Sequence, residues 1–236
     1  MPNWVYNSLT AQGPHDSIAK MKEQLNKPFI VDVSPKGDLA FSNDKQVTYS
    51  NPVFSFWNII APTDLEAYRE QPVRSELGVD DPNWWNDLQE KAKTDDSWYN
   101  WNIRNWGVKW DVAISDNDKF SDTSMEETED EWTASVHYNF NTAWGVADEA
   151  LTKLSSQYPD ILFTLSFEEE TGWGGEWEFL RGEIISQSEY GWKCRECDNE
   201  EDDTPWCDDC EFDICPSCGY NESSEPCDEH KEKDNA

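Results

Sequence analysis

The sequence predicts an α+β fold in which one antiparallel sheet carries two helices and a small metal-binding module follows. Three observations lead to this prediction. Apolar residues alternate with polar ones in several short segments, two other segments have helical spacing, and all seven cysteines lie within residues 194–227. Alternation with period two is typical of half-buried strands, whereas apolar residues three and four positions apart are typical of an amphipathic helix.

Five segments have the alternation expected of strands. The clearest is 132–140, in which one face is apolar and the other polar. The apolar face consists of Trp132, Ala134, Val136, Tyr138 and Phe140. The other segments are 4–6, 108–114, 161–167 and 177–185. We expect the apolar face of the sheet to pack against helices, with the polar face toward solvent.

Two segments, at about 16–26 and 146–158, have the apolar spacing of amphipathic helices. The second ends before Pro159, which cannot continue a helix. In chain order the elements are β, α, a long insertion, β, β, α, β, β. This is the split βαβ, or ferredoxin-like, plan, with two helices on one face of an antiparallel sheet. We therefore predict a ferredoxin-like domain at residues 1–190.

The insertion at about 28–105 is too long to be a bare loop. Residues 64–69 and 81–93 have helical character, and the aromatic segments 54–60 and 98–106 are expected to be buried. The tryptophans of this region favour core packing over a stacking platform for single-stranded nucleic acid, because few cations accompany them. The acid-rich stretch 116–131 is interpreted as a solvated loop between two strands.

Charge argues against several classes of function. The chain has 18 Lys and Arg against 50 Asp and Glu, giving a formal net charge of −32 and a pI near 4.1. Nucleic-acid and anionic-membrane binding both need cations that neutralise phosphate, and no basic patch is visible. We expect no direct binding to nucleic acid and no membrane association. Residues 1–10 also lack the features of a secretory signal, which predicts a cytoplasmic protein.

The cysteines form a pattern typical of zinc binding, with three Cys-x-x-Cys pairs followed by one Cys-x-x-His pair. The eight candidate ligands are Cys194, Cys197, Cys207, Cys210, Cys215, Cys218, Cys227 and His230. Two tetrahedral zinc ions need eight ligands, and filling both shells leaves no position for a catalytic water. We predict two structural Zn²⁺ per chain in a module at 191–236. Redox dithiols and an iron–sulfur cluster are the alternatives.

The centre of this module resembles ZZ-type and related cross-braced zinc fingers. The resemblance lies in Cys207-Asp-Asp-Cys210-Glu-Phe-Asp-Ile-Cys215-Pro-Ser-Cys218. It implies that the first and third pairs hold one zinc and the second and fourth pairs hold the other. Spacing alone leaves a sequential pairing open. ZZ-type fingers bind proteins and peptides, but Arg195 and the final Cys-His pair depart from their pattern, so their specificity for free amines is not carried over.

Several phrases of the larger domain resemble the YubB-type ferredoxin-like domain family of phages and plasmids. They are Met-Pro-Asn-Trp at 1–4, Phe-Trp-Asn-Ile-Ile at 56–60, Trp-Asn-Ile-Arg-Asn-Trp-Gly-Val-Lys-Trp-Asp at 101–111 and Phe-Asn-Thr-Ala-Trp at 140–144. The resemblance runs from residue 1 to about 185. It implies a ferredoxin-like fold and an origin in a bacteriophage or another mobile element, and it carries no catalytic residues.

Three functions from different classes follow. The favoured one is a non-enzymatic phage or mobile-element accessory protein that binds a host protein, in the bacterial cytoplasm, through its zinc module, its acidic surface or both. The alternative is an acidic nucleic-acid mimic that inhibits a host DNA- or RNA-binding protein. The third is an enzyme that uses His137, which shares a polar strand face with Ser135 and Asn139 and could act as a base. Because such a row is ordinary on a half-exposed strand, we predict no catalytic residues.

The acidic and glycine-rich motifs within residues 168–178 do not predict a site. Glu168, Glu169 and Glu170 offer neighbouring carboxylates, and Glu176 and Glu178 alternate with a tryptophan. Unpaired surface acids are common at this composition, so neither group predicts a catalytic or metal site. The glycine-rich segment 172–175 is interpreted as a turn, because it lacks the Gly-Lys-Ser/Thr ending of a phosphate-binding loop.

Overall fold

The computed structural model describes residues 3–31, 47–116 and 123–191, together with the backbone of 206–207 and 212–213. The elements in chain order are β1 (Trp4–Gly13), α1 (His15–Leu25), β2 (Phe29–Val31), β3 (Val47–Tyr49), α2 (Leu65–Tyr68), α3 (Trp84–Ala92), α4 (Trp98–Trp106), β4 (Ser124–Glu129), β5 (Ala134–Ala143), α5 (Asp148–Gln157), β6 (Leu162–Glu169), β7 (Gly174–Leu180), β8 (Glu183–Tyr190), β9 (Trp206–Cys207) and β10 (Phe212–Asp213). Most of the predicted zinc module lies outside the described residues.

The main sheet has six strands in the order β4-β5-β1-β6-β7-β8, and all neighbouring strands are antiparallel. The four strands β4, β5, β1 and β6, with α1 and α5, have the order of the split βαβ plan. The β7–β8 hairpin extends that sheet by two strands. The α+β prediction with an antiparallel sheet is confirmed, although the sheet is wider than the sequence suggested.

Alternation decides which sheet face is buried. In β5 the side chains of Val136, Tyr138 and Phe140 are almost completely buried, and the polar residues between them are not. The helices cover this face, with Met21 and Leu25 of α1 fully buried. The two predicted helices are therefore confirmed as α1 and α5. Their apolar stripes supply the second layer that a half-apolar sheet requires.

The insertion completes the core over β5. Phe54 stacks on Phe140 with ring centroids 5.0 Å apart, and Phe56 meets the same ring edge-on at 6.0 Å. Both insertion rings are fully buried, as predicted for 54–60. The predicted helices 64–69 and 81–93 occur as the shorter α2 and α3, and 98–106 forms α4.

The predicted strand at 108–114 is wrong, because these residues form irregular structure held by one carboxylate. Asp111 accepts hydrogen bonds from the Ser55 hydroxyl at 2.8 Å and from the backbone N–H groups of Phe56 and Trp57 at 2.8 and 3.0 Å. It also accepts from the N–H groups of Val112 and Ala113. Burial raises the pKa of the Asp111 carboxyl, and these donors act in the opposite direction.

The interpretation of 116–131 as a loop is wrong for its second half, which contains β4. This glutamate-rich segment pairs with β5 as an edge strand, and Lys22 of α1 forms an ion pair with Glu127.

Trp132 was expected on the buried face but is 78% exposed. It lies in the β4–β5 turn, where the Asp130 carboxylate accepts hydrogen bonds from the N–H groups of Trp132 and Thr133.

The segment 177–185 is part of a hairpin rather than one strand. Arg181 and Gly182 join β7 to β8 with φ of 57° and 82°. Positive φ at both positions is the geometry of a two-residue turn that matches strand twist.

No helix in the described ranges is long and apolar enough to cross a membrane.

Candidate functional site

One face of the six-stranded sheet lies away from α1 and α5, and we call it the open face. It carries the residues that alternate with the buried ones, and most of them are half-buried or exposed. Tyr6 of β1 is 52% exposed, although its neighbours Val5 and Asn7 are almost completely buried.

Strand register arranges the open face in rows that cross the sheet. One row contains Glu126, His137, Thr10, Thr164 and Glu178. The next contains Ser124, Asn139, Ser8, Ser166, Glu176 and Ser188. These side chains are hydroxyls, amides, carboxylates and one imidazole, so the two rows offer many hydrogen-bonding groups.

The open face is also negative. None of the strands β1 and β4 to β8 contains Lys or Arg, and His137 is their only ionisable nitrogen. The carboxylates of Glu126, Glu168, Glu176, Glu178 and Glu183 lie on this face. A surface of one sign attracts ligands of the opposite sign and repels phosphate. The arrangement suits a cationic ligand and disfavours an anionic one.

A groove of about 640 Å³ runs over β5, β1, β6, β7 and β8. Its side chains that lie on the open face are Tyr6, Ser8, Asn139, Asn141, Ser166, Glu168, Glu176, Ser188 and Tyr190. The volume falls within the range of about 300–1,000 Å³ that is usual for ligand sites. The Ser166 hydroxyl donates to Glu176 Oε2 at 2.9 Å, which orients this carboxylate beside the groove.

Two glycines shape one end of the groove. A Cβ on Gly174 would lie 2.5 Å from both the Tyr190 hydroxyl and the Phe167 carbonyl oxygen, and one on Gly175 would lie 2.4 Å from the Ser188 carbonyl oxygen. Only glycine allows the Tyr190 ring and β8 to approach β7 so closely. The segment 172–175 is therefore only in part the turn that we predicted, since Gly174 and Gly175 belong to β7.

His137 lies on the open face between two hydroxyls. Ser8 Oγ is 3.1 Å from its Nε2, and Thr10 Oγ1 is 3.1 Å from its Nδ1. A serine beside a histidine is the start of a nucleophilic site, but such sites usually orient the histidine with a carboxylate. A threonine hydroxyl takes that place here, and within the described ranges no carboxylate hydrogen-bonds to His137. The geometry is that of an imidazole held in the polar surface by two hydroxyls.

The neighbouring glutamates at 168–170 do not come together. Glu168 is exposed on the open face, whereas Glu169 is buried on the helix side. One carboxylate oxygen of Glu169 accepts from the backbone N–H of Thr171 at 2.7 Å and from its hydroxyl. Because successive residues of a strand face opposite ways, Glu168 and Glu169 do not form the carboxylate pair that hydrolysis would need.

The tryptophans divide between core and surface. Trp101 and Trp106 are buried with perpendicular rings 5.4 Å apart, and Trp106 Nε1 donates to the Ile60 carbonyl oxygen at 3.0 Å. The packing interpretation is confirmed for both. It is wrong for Trp85, which is 57% exposed on α3, a helix without a buried residue.

The predicted zinc ligands lie outside the described residues, except for the backbone of Cys207. There β9 and β10 form a two-stranded ladder that pairs Cys207 with Phe212 and Trp206 with Asp213. Cys210 lies in the four-residue connection between these strands. A donor set of seven thiolates and one imidazole fits zinc. In the part of the chain that is described, no group of His, Cys, Asp and Glu side chains could hold a metal ion.

Comparison with known proteins gives one family and one solved structure. The crystal structure of a protein api92 from Yersinia pseudotuberculosis is 10% identical and aligns over 82% of this chain and 100% of its own, with a TM-score of 0.39. No curated protein matches the chain. A family model does match: residues 109–208 of this chain are similar to the ferredoxin-like domain in Api92-like protein.

Proposed function

We propose that this protein is a non-enzymatic accessory protein of a phage or another mobile element, and that it binds a basic host protein through its open face. The observation that carries the proposal is the composition of this face. Carboxylates, hydroxyls and amides line it, and its strands contain neither Lys nor Arg. The proposed mobile-element origin rests on the sequence resemblance described above.

Electrostatic attraction favours a basic partner. A face whose strands carry carboxylates and no Lys or Arg raises the local concentration of positive ligands and speeds their encounter. The net charge of −32 extends this field beyond the groove. Hydroxyls such as those of Ser8 and Ser166 then provide hydrogen bonds at close range. We expect binding that weakens as salt concentration rises.

The zinc module is the second part of the proposal. Two Zn²⁺ held by the eight cysteine and histidine ligands would supply the folding free energy that a module of this size lacks. The spacing of the eight ligands in the sequence supports this assignment. The resemblance to ZZ-type fingers favours a role in binding proteins.

Capture from a bacterial lysate tests the proposal with matched variants. The open-face variant replaces four glutamates by Gln: Glu126, Glu168, Glu176 and Glu178. The control variant replaces four acids that are exposed elsewhere by the corresponding amides: Glu23, Glu76, Asp80 and Glu131. Both changes remove the same number of charges. We expect the wild-type and control chains to capture the same basic protein at about 50 mM salt and release it at about 500 mM, since screening strengthens steeply over this range.

The open-face variant should capture little of that protein at either salt concentration. Equal capture by the open-face and control variants would contradict the proposal, because the net charge alone would then explain binding. The mimic hypothesis has its own outcome in the same experiment. Duplex DNA added to the lysate should displace a partner that uses its nucleic-acid-binding groove, and it should leave any other partner bound.

A further inference from the structure

We infer that the open face binds an extended peptide, which lies along β6 and β7 and crosses the groove, and in which Lys or Arg residues alternate with small polar residues. This inference rests on the proposed function and specifies its ligand. Three features carry it: the spacing of the carboxylates along β7 and β6, the hydrogen-bonding floor between them, and the two tyrosines at one end of the groove.

The carboxylates occupy three successive rows of the sheet. Glu178 lies in the row of Thr164, Glu176 in the row of Ser166, and Glu168 in the row of Gly174. Successive rows on one face are two residues apart, which is about 6.6–6.8 Å at the usual rise per strand residue. An extended peptide has the same repeat for the side chains on one of its faces. Lysines at alternate positions would therefore each meet one carboxylate.

The floor of the groove suits an extended main chain. Ser166 and Ser188 lie in the row of Glu176, on the strands to either side of it, and both line the groove. Hydroxyl groups both donate and accept, so they can bind the N–H and C=O groups that an extended peptide presents. Small polar residues between the lysines would lie close to this floor.

The end of the groove offers aromatic surface. Tyr6, which is 52% exposed, and Tyr190 both line the groove in the row of Glu168 and Gly174. The faces of such rings attract Lys and Arg side chains. Gly174 lets the Tyr190 ring lie against β7, so that the ring stands beside the carboxylate ladder. A basic side chain at one end of the peptide would find both a carboxylate and a ring.

The same features disfavour other ligands. Phosphate-bearing and other anionic ligands meet no Lys or Arg on the strands. A bare divalent cation is disfavoured because no group of acidic side chains in the described ranges is close enough to hold one. The spaced carboxylates fit separate positive charges along a chain.

Fluorescence anisotropy with two labelled peptides of equal charge tests the inference on the full chain. One peptide has the sequence Lys-Ser-Lys-Ser-Lys-Ser, and the other has Lys-Lys-Lys-Ser-Ser-Ser. We expect the alternating peptide to bind about two- to fivefold more tightly, the effect of one extra exposed ion pair. Replacing Glu176 and Glu178 by Gln should remove that preference, and replacing Glu76 by Gln and Asp80 by Asn should leave it unchanged.

Equal affinity for the two peptides would overturn the inference, and so would a preference that survives the Glu176 and Glu178 substitutions. Circular dichroism of each variant shows whether its sheet is intact. The inference and the proposed function can fail separately. If the open-face variant loses its captured protein but neither peptide is preferred, the function stands and the peptide specificity is wrong. If capture also ignores the open face, both are wrong.

Discussion

Replacing Asp111 by Ala is expected to lower the free energy of unfolding by about 3 kcal/mol or more. The Asp111 carboxylate accepts from Ser55, Phe56 and Trp57 of the insertion and from the two N–H groups that follow it. Removing the acceptor leaves several donors without a partner in a partly buried site, and each such donor costs about 1–3 kcal/mol. Urea denaturation followed by tryptophan fluorescence measures the change.

Two control variants define this expectation. Asp111→Asn keeps one acceptor oxygen and should lose a smaller part of the free energy of unfolding. Asp80→Ala removes an exposed carboxylate and should change it by less than about 0.5 kcal/mol. A loss below about 1 kcal/mol for Asp111→Ala would contradict the account of how the insertion is attached to the domain.

Chelation of zinc is expected to unfold the C-terminal module and to leave the N-terminal domain folded. The domain has its own aromatic core, in which Phe54, Phe140 and Trp106 are buried, so its near-ultraviolet circular dichroism should survive. Zinc affinity should fall on acidification, because thiolate ligands must be deprotonated to bind. Metal analysis of the purified chain should give about two Zn²⁺, and a value near one or zero would contradict the prediction.

Paired deletions of ligands separate the two zinc topologies. In a cross-brace, replacing the pairs Cys194/Cys197 and Cys215/Cys218 by Ser destroys one site and leaves the other complete, so about one Zn²⁺ remains. In a sequential arrangement the same change removes half of each site, and almost no zinc remains. Replacing the pairs Cys194/Cys197 and Cys207/Cys210 by Ser in one variant reverses these expectations. The cross-brace is wrong if this second variant retains one zinc ion.

Periodicity predicted the elements that face the core. The helices α1 and α5 and the strand β5 each bury one regular set of side chains, such as Val136, Tyr138 and Phe140, and such a set is visible in the sequence. Residues 108–114 have the same alternation but form no strand. There the backbone of Val112 donates to Asp111 rather than to a neighbouring strand. Alternation reports burial, and it does not report where the backbone hydrogen bonds go.

The edge strand β4 is the opposite case, a strand that the sequence did not predict. Its three glutamates predict a loop by composition, yet the free edge of β5 offers backbone partners, and water solvates the carboxylates on both faces. Charged edge strands also protect a sheet from pairing with other molecules. The composition of 116–131 does not predict that β4 pairs with β5, because the partner strand is defined only by the fold.

The open face was only partly predictable. The polar row around His137 can be read from the sequence, since it alternates with the buried residues of β5. The carboxylate ladder cannot, because Glu168 lies on β6 and joins Glu176 and Glu178 of β7 only through the register of the two strands. Strand order and register are tertiary properties. The pairing of Tyr190 with Gly174 likewise appears only when β8 is placed beside β7.

Site-specific photo-crosslinking tests the central claim, that the open face is the binding surface, most directly. A photoreactive benzophenone side chain replaces Ser188 in the groove of one variant and Lys153 on α5 of the other. Both positions are exposed, and they lie on opposite sides of the sheet. We predict that the position-188 variant crosslinks to its captured protein and that the position-153 variant does not. A crosslink from position 153 with none from position 188 would contradict the claim.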